Sequence, residues 1–438
     1  MPDDHAPHSP TPARILVEPA DPLVDTPLDI RLAGFAPADE VVVRCQMIDP
    51  RGRRWESAVT VHTGEDGGLD LAAATPAAGT YDEPDAMGLV WSMKAKGKPD
   101  KSLRDRRILP PAQISLTAEK DGQLLARATV DRLRLPVDVQ RVPVRSDGLV
   151  GTLFWPREGG PYPGVLLLGG SEGGLHELDA ALLAARGYAV LALAYFGMRG
   201  VPSDLVSIPL EYFGKAMSFL RGRRKVQGDR LGVIGGSRGG EAALLLAATY
   251  PDIAVAVSLV GAGVITQGIS RKRRLLDTLH EQVPAWTYRG KALPFLPNQV
   301  PAELTEQVAA KVPVELGLAF TPSLADRDAV TAAAIPVEQI RGAVLAITAG
   351  DDRMWPCTEL SELAIQRLAA AGHNAAKHVH YPDAGHLIAA PPYGPTTEIL
   401  TPGPGVRFRT GGSAKANAAA RVGAWHALTE FLEEHLAS

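Results

Sequence analysis

The hydrophobic pattern of the chain changes near residue 137. Before that point, short segments of alternating apolar and polar residues are separated by Gly, Pro, Asp or charged residues. Such segments predict short β-strands, and the Asp121-Gly122 pair inside AQISLTAEKDGQLLARATV predicts a hairpin. The other predicted strands are ILVEP, LDIRLAGF, EVVVRCQMID, SAVTVHT and GLVWSMK. About six or seven strands without a convincing helix predict an immunoglobulin-like β-sandwich domain over residues 14–136.

Beyond residue 137 the pattern alternates between apolar strands and helical segments. The predicted strands include VLLLGG, YAVLALAYF, LGVIGG, IAVAVSLV, AVLAITAG and KHVHYP, and most of them precede a segment with helical periodicity. Such alternation predicts a mostly parallel sheet with helices on both faces, here in a domain of residues 137–438. A long, proline-rich stretch at about 262–336 interrupts the alternation, and it predicts a lid-like insertion or a wall of a binding site.

Composition and charge narrow the class of protein. The chain has 438 residues, 45% of them hydrophobic, and a formal net charge of −4. This balance predicts a globular protein of two domains and gives no electrostatic reason to expect nucleic acid as a partner. No apolar stretch is long enough to span a membrane, and residues 1–13 predict a disordered tail rather than a signal peptide. With only two cysteines, the simplest expectation is a cytoplasmic protein with free thiols.

The chemistry of the chain centres on the stretch from Gly235 to Gly239, which reads Gly-Gly-Ser-Arg-Gly. It lies between the strand LGVIGG and the helix EAALLLAATY, and G-x-S-x-G in that context is typical of a nucleophile elbow. The glycines make room for the strained backbone that exposes the hydroxyl of Ser237. Phosphate-loop patterns do not fit here, so a structural turn is the main alternative.

The order of residues in an α/β-hydrolase provides a second test, because the acid and the histidine must follow the serine. Asp352 follows the strand AVLAITAG, and His386 follows the strand KHVHYP. Asp352 is preferred over Asp351 because Pro356 then stands four residues later, the usual spacing in such loops. The nearby alternatives to His386 are His373, His378 and His380, which the pattern places at a helix end or along a strand.

Two backbone donors are expected to stabilise a developing oxyanion. One is the amide of Arg238, directly after the serine, and the other comes from the loop Gly-Gly-Ser-Glu-Gly-Gly after VLLL, at Gly170 or Ser171. A plain glycine turn is the alternative for that loop. No histidine–carboxylate cluster has metal-binding spacing, so neither a metal nor another cofactor is expected.

These segments together resemble the acyl-CoA thioesterase and bile acid-CoA:amino acid N-acyltransferase family. The likeness extends from about residue 88 to the C-terminus and is carried by GLVWSMK, GTLFWPREGGPYPGVLLLGGSEGGL, ARGYAVLALAYFG, LEYFGKAMSFL, GVIGGSRGGEAALLLA, AGDDRMW, YPDAGHLIAAPPY and GGSAKANAAARVGAWHALTEFLEEHL. It implies a β-sandwich followed by an α/β-hydrolase domain with Ser237, Asp352 and His386 as nucleophile, acid and base. Amino-acid-conjugating members of the family carry Cys at the nucleophile position, so the serine favours hydrolysis of an acyl thioester.

Other functions and substrate contacts stay open at this point. Acyl transfer to an amine or alcohol acceptor is the alternative, and an inactive hydrolase fold used for binding is a third. The acyl donor is expected to be an acyl-CoA or an acyl group on a carrier protein, and a homo-oligomer is possible. Within the insertion, Arg271 and Arg274 either contact CoA phosphates or form a solvated basic patch. Trp286, Tyr288 and Phe295 either line an acyl tunnel or pack the insertion.

Overall fold

The computed structural model of the chain describes residues 12–105, 108–270, 272 and 274–437. Most of the predicted N-terminal tail, and Arg271, therefore lie outside the described residues. The chain folds as two compact units. The first runs up to Arg134 and includes Tyr393–Thr397, and the second consists of Leu135–Pro392 and the residues from Glu398 onward.

The first unit is the β-sandwich that the sequence predicts. Its two sheets are antiparallel, and strands β3 and β4 bury every second side chain, because alternate residues of a strand face opposite sides. The sheet orders are β1-β2-β5 and β6-β4-β3-β8-β9, with β7 paired to β4. The strands are β1 (Arg14–Glu18), β2 (Asp29–Ala33), β3 (Glu40–Ile48), β4 (Arg54–His62), β5 (Leu69–Asp70), β6 (Ala78–Gly79), β7 (Lys94–Lys96), β8 (Ala112–Lys120) and β9 (Gln123–Arg132).

The strand predicted for GLVWSMK is wrong over most of its length. Residues Gly88–Trp91 form a one-turn helix, α1, and all four are buried. Asp85 stabilises this turn from outside, since its carboxylate accepts hydrogen bonds from the Met87 N–H (2.7 Å) and the Trp91 indole N–H (2.7 Å). A continuous apolar run is compatible with either a buried strand or a buried helix. Here the two hydrogen bonds to Asp85 favour the helix.

Tyr393–Thr397 belong to the first unit although the sequence pattern assigns them to the second domain. The Arg132 guanidinium donates to the Tyr393 carbonyl (2.7 Å), and the Thr396 N–H donates to the Trp91 carbonyl (3.0 Å). These bonds satisfy backbone groups of a segment that has no strand pairing of its own.

The second unit is built on an eight-stranded sheet of order β10-β11-β13-β12-β15-β16-β19-β20. Strand β11 runs antiparallel to both of its neighbours, and the remaining pairs are parallel. This is the α/β-hydrolase fold expected from the sequence. The strands are β10 (Val139–Val144), β11 (Val150–Pro156), β12 (Tyr162–Leu168), β13 (Ala189–Ala194), β14 (Ile208–Pro209), β15 (Val226–Gly236), β16 (Ile253–Leu259), β17 (Trp286–Tyr288), β18 (Lys291–Ala292), β19 (Ala343–Ala349), β20 (Ala376–Tyr381), β21 (Leu400–Pro402) and β22 (Arg407–Arg409).

The helices of this unit include one directly after the serine strand. They are α2 (Glu177–Ala184), α3 (Leu210–Arg221), α4 (Arg238–Thr249), α5 (Leu275–His280), α6 (Ala302–Ala309), α7 (Thr321–Leu324), α8 (Arg327–Ala333), α9 (Cys357–Ala370) and α10 (Ala414–Leu432). Single 3₁₀ turns cover Lys101–Leu103 in the first unit and Leu316–Ala319, Val337–Gln339 and His386–Ile388 in the second.

The centre of the sheet consists of strands that are buried on both faces. Every residue of β13 and β19 is buried, which agrees with their unbroken apolar sequences AVLALA and AVLAITA. The carboxyl ends of β12, β15, β19 and β20 lie at one edge of the sheet, because these strands run parallel. The loops that carry the candidate catalytic residues all start from that edge.

Candidate active site

Ser237 lies on a sharp turn between β15 and α4. Its backbone has φ 54° and ψ −118°, a left-handed conformation that a residue with a side chain rarely adopts. The Ser237 N–H donates to the Leu259 carbonyl (2.8 Å), which anchors the turn to the neighbouring strand β16. A strained serine between a strand and a helix is the geometry of a nucleophile elbow.

The glycines around the serine are required by close backbone contacts. A Cβ on Gly235 would lie 2.0 Å from the Gly239 carbonyl oxygen, and a Cβ on Gly239 would lie 2.6 Å from the carbonyl oxygens of Leu168 and Gly169. The elbow can therefore pack against the end of β12 only if these positions carry no side chain.

Hydrogen bonds connect the serine, the histidine and the aspartate. His386 Nε2 lies 3.1 Å from Ser237 Oγ, and His386 Nδ1 lies 2.6 Å from Asp352 Oδ2. The other carboxylate oxygen of Asp352 accepts from the N–H groups of Met354 (3.0 Å) and Trp355 (3.1 Å). The imidazole thus has one nitrogen on a fixed carboxylate and the other on the hydroxyl, the arrangement of a general base beside a nucleophile.

The neighbouring candidates lie elsewhere. Asp351 pairs with the Arg353 guanidinium (2.6 Å) and accepts from the Gly412 N–H (2.8 Å). His378 and His380 both lie within hydrogen-bond distance of Thr348 Oγ1, at 2.8 and 2.9 Å. The structure thus brings Asp352 and His386 to the serine, and none of these alternatives.

The electrostatic surroundings favour the charged form of His386. Burial alone lowers the pKa of this imidazole, but the charge and hydrogen bond of Asp352 outweigh it, and the charge of Glu172 adds to them. The pKa of His386 is therefore raised above its ordinary value. An imidazolium that forms while a proton is transferred is stabilised by the same two carboxylates.

The candidate oxyanion donors lie on both sides of the serine. Arg238 is the first residue of α4, where backbone N–H groups have no acceptor within the helix. Gly170 lies close to the serine, since a Cβ added to Gly170 would lie 3.2 Å from Ser237 Cβ, and both residues line the same cavity. The Gly170 N–H, however, donates to Glu172 Oε1 at 2.9 Å. Ser171, the other candidate, lines a cavity together with Arg238.

Glu172 is a residue of the site that the sequence pattern did not single out. Its Oε1 also lies 2.6 Å from His176 Nε2, while His176 Nδ1 lies 3.3 Å from Asp179 Oδ2. Burial opposes the charge on His176, but its bonds to Asp179 and Glu172 prevail and raise its pKa to about 10. A charged imidazolium thus holds the Glu172 carboxylate next to Gly170 at neutral pH.

The side chain of Arg238 has a separate role that the sequence also did not reveal. Its guanidinium is buried, pairs with Glu241 (2.9 Å) and donates to the carbonyls of Thr266 (3.2 Å) and Gln267 (2.9 Å). Glu241 in turn accepts from the Thr266 hydroxyl (2.8 Å) and the Trp286 indole (2.7 Å). This network ties the first turn of α4 to the insertion between β16 and β19. The only signal in the sequence is the charged pair three residues apart in an otherwise apolar helix.

Two cavities meet at the serine and the histidine. The smaller, of about 240 Å³, is lined mostly by apolar side chains, among them Leu183, Leu259, Ile388, Trp425 and Leu428. The larger, of about 490 Å³, mixes polar and apolar groups and is lined in part by the insertion. Ser237, His386, Glu172 and Leu387 line both.

The residues predicted to bind substrate are not brought to the serine. Trp286 is fully buried and packs against the rings of Tyr195 and Phe213, with centroid distances of 5.8 and 5.9 Å. Tyr288 packs against Tyr250, and Phe295 packs against the same hydrophobic core. These three side chains line neither of the two cavities. Their positions agree with the alternative in which they pack the insertion. Arg274 lines neither cavity but a third concavity, on the surface of the second unit.

The described ranges contain neither a cluster of metal ligands nor a helix suited to span a membrane. No group of three or more His, Cys, Asp or Glu side chains there is arranged to hold a metal ion. None of the helices described above combines the length and the apolar character that crossing a membrane requires.

Comparison with known proteins links both units to one family. The family model described as BAAT / Acyl-CoA thioester hydrolase C terminal matches residues 208–438, and the one described as Acyl-CoA thioester hydrolase/BAAT N-terminal region matches residues 25–146. The chain is 32% identical to acyl-coenzyme A thioesterase 1 of Homo sapiens over 432 residues, covering 97% of each chain. It is 33% identical to the mitochondrial acyl-coenzyme A thioesterase 2 of Mus musculus over 422 residues, covering 94% of this chain and 87% of that protein.

A solved structure of a dienelactone hydrolase-like promiscuous phosphotriesterase from metagenomic libraries also aligns with the chain. The alignment covers 68% of this chain and 98% of that one at 17% identity, with a TM-score of 0.40.

Proposed function

Since the chain belongs to the acyl-CoA thioester hydrolase/BAAT family and is a thioester hydrolase, we propose that it cleaves acyl-CoA through an acyl-enzyme on Ser237. The observation that carries this proposal is the chain of hydrogen bonds from Ser237 Oγ through His386 to Asp352, at 3.1 and 2.6 Å. Among the possible thioester substrates, acyl-CoA is favoured because the related proteins are named acyl-coenzyme A thioesterases.

In the first step, His386 Nε2 takes the hydroxyl proton while Ser237 Oγ attacks the thioester carbonyl carbon. Asp352 fixes the tautomer and stabilises the imidazolium that forms. The carbon–sulfur bond then breaks, His386 gives its proton to the sulfur, and the thiol leaves. In the second step, His386 activates a water molecule that releases the acid and regenerates the serine.

The oxyanion formed in each step needs two N–H donors. We assign them to Arg238, at the start of α4, and to Gly170, which lines the same cavity as Ser237. In the free enzyme the Gly170 N–H is bound to Glu172, so the carboxylate has to release it when substrate enters. The positive end of α4 contributes to the same stabilisation.

Hydrolysis is favoured over transfer by the chemistry of the nucleophile. A serine oxyester is readily cleaved by an activated water, whereas a cysteine thioester keeps more reactivity toward an amine. Acyl transfer is distinguished by its products: with an amino acid present, transfer would give an amide in place of part of the free acid. Cytoplasmic localisation and self-association stay predictions.

The test is a comparison of the native protein with Ser237→Ala and Ser218→Ala. Ser218 is an exposed serine on α3 and provides the matched control. We expect Ser237→Ala to lose at least about 10³-fold in kcat with acyl-CoA, and Ser218→Ala to keep the native rate. Mass spectrometry of a quenched reaction should find the acyl group on Ser237. Equal rates in all three proteins would refute the assignment.

A further inference from the structure

The larger cavity at Ser237 adjoins a wide concavity on the surface of the second unit. Leu275, Gly403 and Pro404 line both spaces, so the two adjoin at the start of α5 and at the turn between β21 and β22. That turn is closed by a hydrogen bond from the Gly403 N–H to the Val406 carbonyl (3.0 Å). A ligand with one end at the serine can therefore extend outward past this turn.

The concavity carries positive charge that is not compensated by ion pairs. Arg274, Lys311 and Arg407 line it and are exposed, and no carboxylate in the described part of the chain pairs with any of the three. Among the described residues, Asp277 is the only acidic one in its lining.

Other cations in this region of the second unit do have partners. Lys272 lies 3.2 Å from Glu281, Arg353 lies 2.6 Å from Asp351, and Arg409 lies 3.1 Å from Glu315. The concavity thus holds three described cations whose charge is free to meet a ligand.

Backbone pairing holds two of these cations on adjoining segments. The Val314 N–H donates to the Arg407 carbonyl (2.8 Å), and the Arg409 N–H donates to the Val314 carbonyl (2.8 Å). The segment that follows Lys311 therefore runs beside β22, which carries Arg407. A fixed pair of cations recognises phosphate groups better than two independent mobile ones, because less freedom is lost on binding.

The larger cavity suits a polar arm that carries amides. Its lining includes Thr266, Gln267, Ser270 and Asn298. Asn298 is buried, and among the described residues its Nδ2 has no hydrogen-bond acceptor. Buried donors are nearly always paired in native proteins, by protein groups, water or a ligand, so this amide can donate to a carbonyl of a ligand in the cavity.

We propose, on the basis of the function proposed above, that Arg274, Lys311 and Arg407 bind the phosphates of the nucleotide half of an acyl-CoA. The pantetheine arm then runs through the larger cavity, past Asn298, and its thioester reaches Ser237. The acyl chain occupies the smaller, mostly apolar cavity on the other side of the serine. The cations thus select a free CoA thioester by its phosphates.

The test compares two thioesters of the same acyl chain, one of CoA and one of pantetheine, which lacks the nucleotide and its phosphates. The variant is Lys311→Ala/Arg407→Ala, and the control is Lys291→Ala/Arg327→Ala, an exposed Lys and Arg outside the concavity. We expect the KM of the variant for acyl-CoA to rise about threefold to tenfold, with kcat unchanged and the KM for acyl-pantetheine unchanged. Added salt should raise the native KM for acyl-CoA alone.

The possible failures of the two proposals are distinct. If the native enzyme hydrolyses acyl-CoA and the variant has the native KM for it, the phosphate site is refuted while the proposed function stands. If the KM of the variant rises equally for both thioesters, the cations do not act on the phosphates and the phosphate site is again refuted. If the native enzyme hydrolyses neither thioester, the proposed function itself fails. Asn298→Ala provides a second check, since it should raise KM for both thioesters, which share the pantetheine arm.

Discussion

Glu172 Oε1 accepts the N–H of Gly170 at 2.9 Å, on the loop that follows β12 and lines the same cavity as the candidate nucleophile. The carboxylate occupies a donor that the proposed mechanism needs for the oxyanion, and its charge also raises the pKa of His386. Glu172 thus links loop conformation, transition-state stabilisation and the titration of the base.

Glu172→Gln keeps the side-chain acceptor and removes the charge. We expect the acid limb of kcat/KM against pH to move to lower pH, because without the Glu172 charge the pKa of His386 falls. The control is Glu303→Gln on α6, where the side chain is exposed. An acid limb that stays at its native position would contradict the role given to Glu172.

The pH dependence of the native enzyme follows from the same imidazole. His386 has to be neutral to accept the serine proton, and its pKa is raised above the ordinary value of 6.5. Activity should therefore be lost as pH falls through the raised pKa, with the midpoint of the acid limb above about 6.5. The measurement is kcat/KM with the released acid determined chromatographically. A midpoint below 6.5 would mean that Asp352 and Glu172 do not outweigh burial.

The two adjacent aspartates should differ sharply in their effect on catalysis. Asp352→Asn keeps the shape of the side chain but no longer fixes the tautomer of His386, so we expect kcat to fall about 10³- to 10⁴-fold. Asp351→Asn weakens the bonds to Arg353 and Gly412 and should cost about 1 kcal/mol of stability with kcat almost unchanged. Steady-state kinetics and urea denaturation measure the two effects, and a reversed order of kcat would refute the assignment of Asp352.

The buried pair of Arg238 and Glu241 should contribute to stability through its pairing. Arg238→Met leaves the Glu241 carboxylate buried without its cation, which costs about 3–5 kcal/mol. Arg238→Met/Glu241→Gln removes both charges and keeps an acceptor for Trp286, so it should recover a large part of that loss. The measurement is the free energy of unfolding in urea. If the double variant is no more stable than Arg238→Met alone, the carboxylate is not the source of the cost.

The smaller cavity should set the acyl chain length. Ala424 lines it from α10, and Ala424→Leu would fill part of its volume of about 240 Å³. We expect kcat/KM to fall for the longest acyl chains, by about fourfold per excluded methylene, and to be unchanged for acetyl. Ala419→Leu, on the exposed side of the same helix, is the control. An unchanged chain-length profile would place the acyl chain elsewhere.

The order of strands and helices could be predicted from the sequence, and so could the candidate roles of Ser237, Asp352 and His386, because each leaves a local signal. Ser237 has glycines that its turn requires, and Asp352 and His386 each follow an apolar strand that runs to the same edge of the sheet. A strand end is visible in the sequence as the point where an apolar run stops.

The remaining features depend on contacts that the sequence does not mark. Trp286 looks the same in the sequence whether it lines a tunnel or packs on Phe213. Its position depends on a hydrogen bond to Glu241, which lies 45 residues earlier in the chain. Glu172 lies in a glycine loop where its side chain can face solvent or the loop backbone. Lys311 and Arg407 are almost a hundred residues apart along the chain and are brought together by a backbone pairing that neither residue predicts.

The first unit combines two distant segments of the chain, and this has a consequence for how the protein is made. Tyr393–Thr397 complete that unit, so its last contacts form only after residue 397 has left the ribosome. Until then the carbonyl of Trp91 and the guanidinium of Arg132 lack their hydrogen bonds to Thr396 and Tyr393. A fragment that ends at residue 134 would lack them permanently, so no single cut of the gene can separate the two units intact.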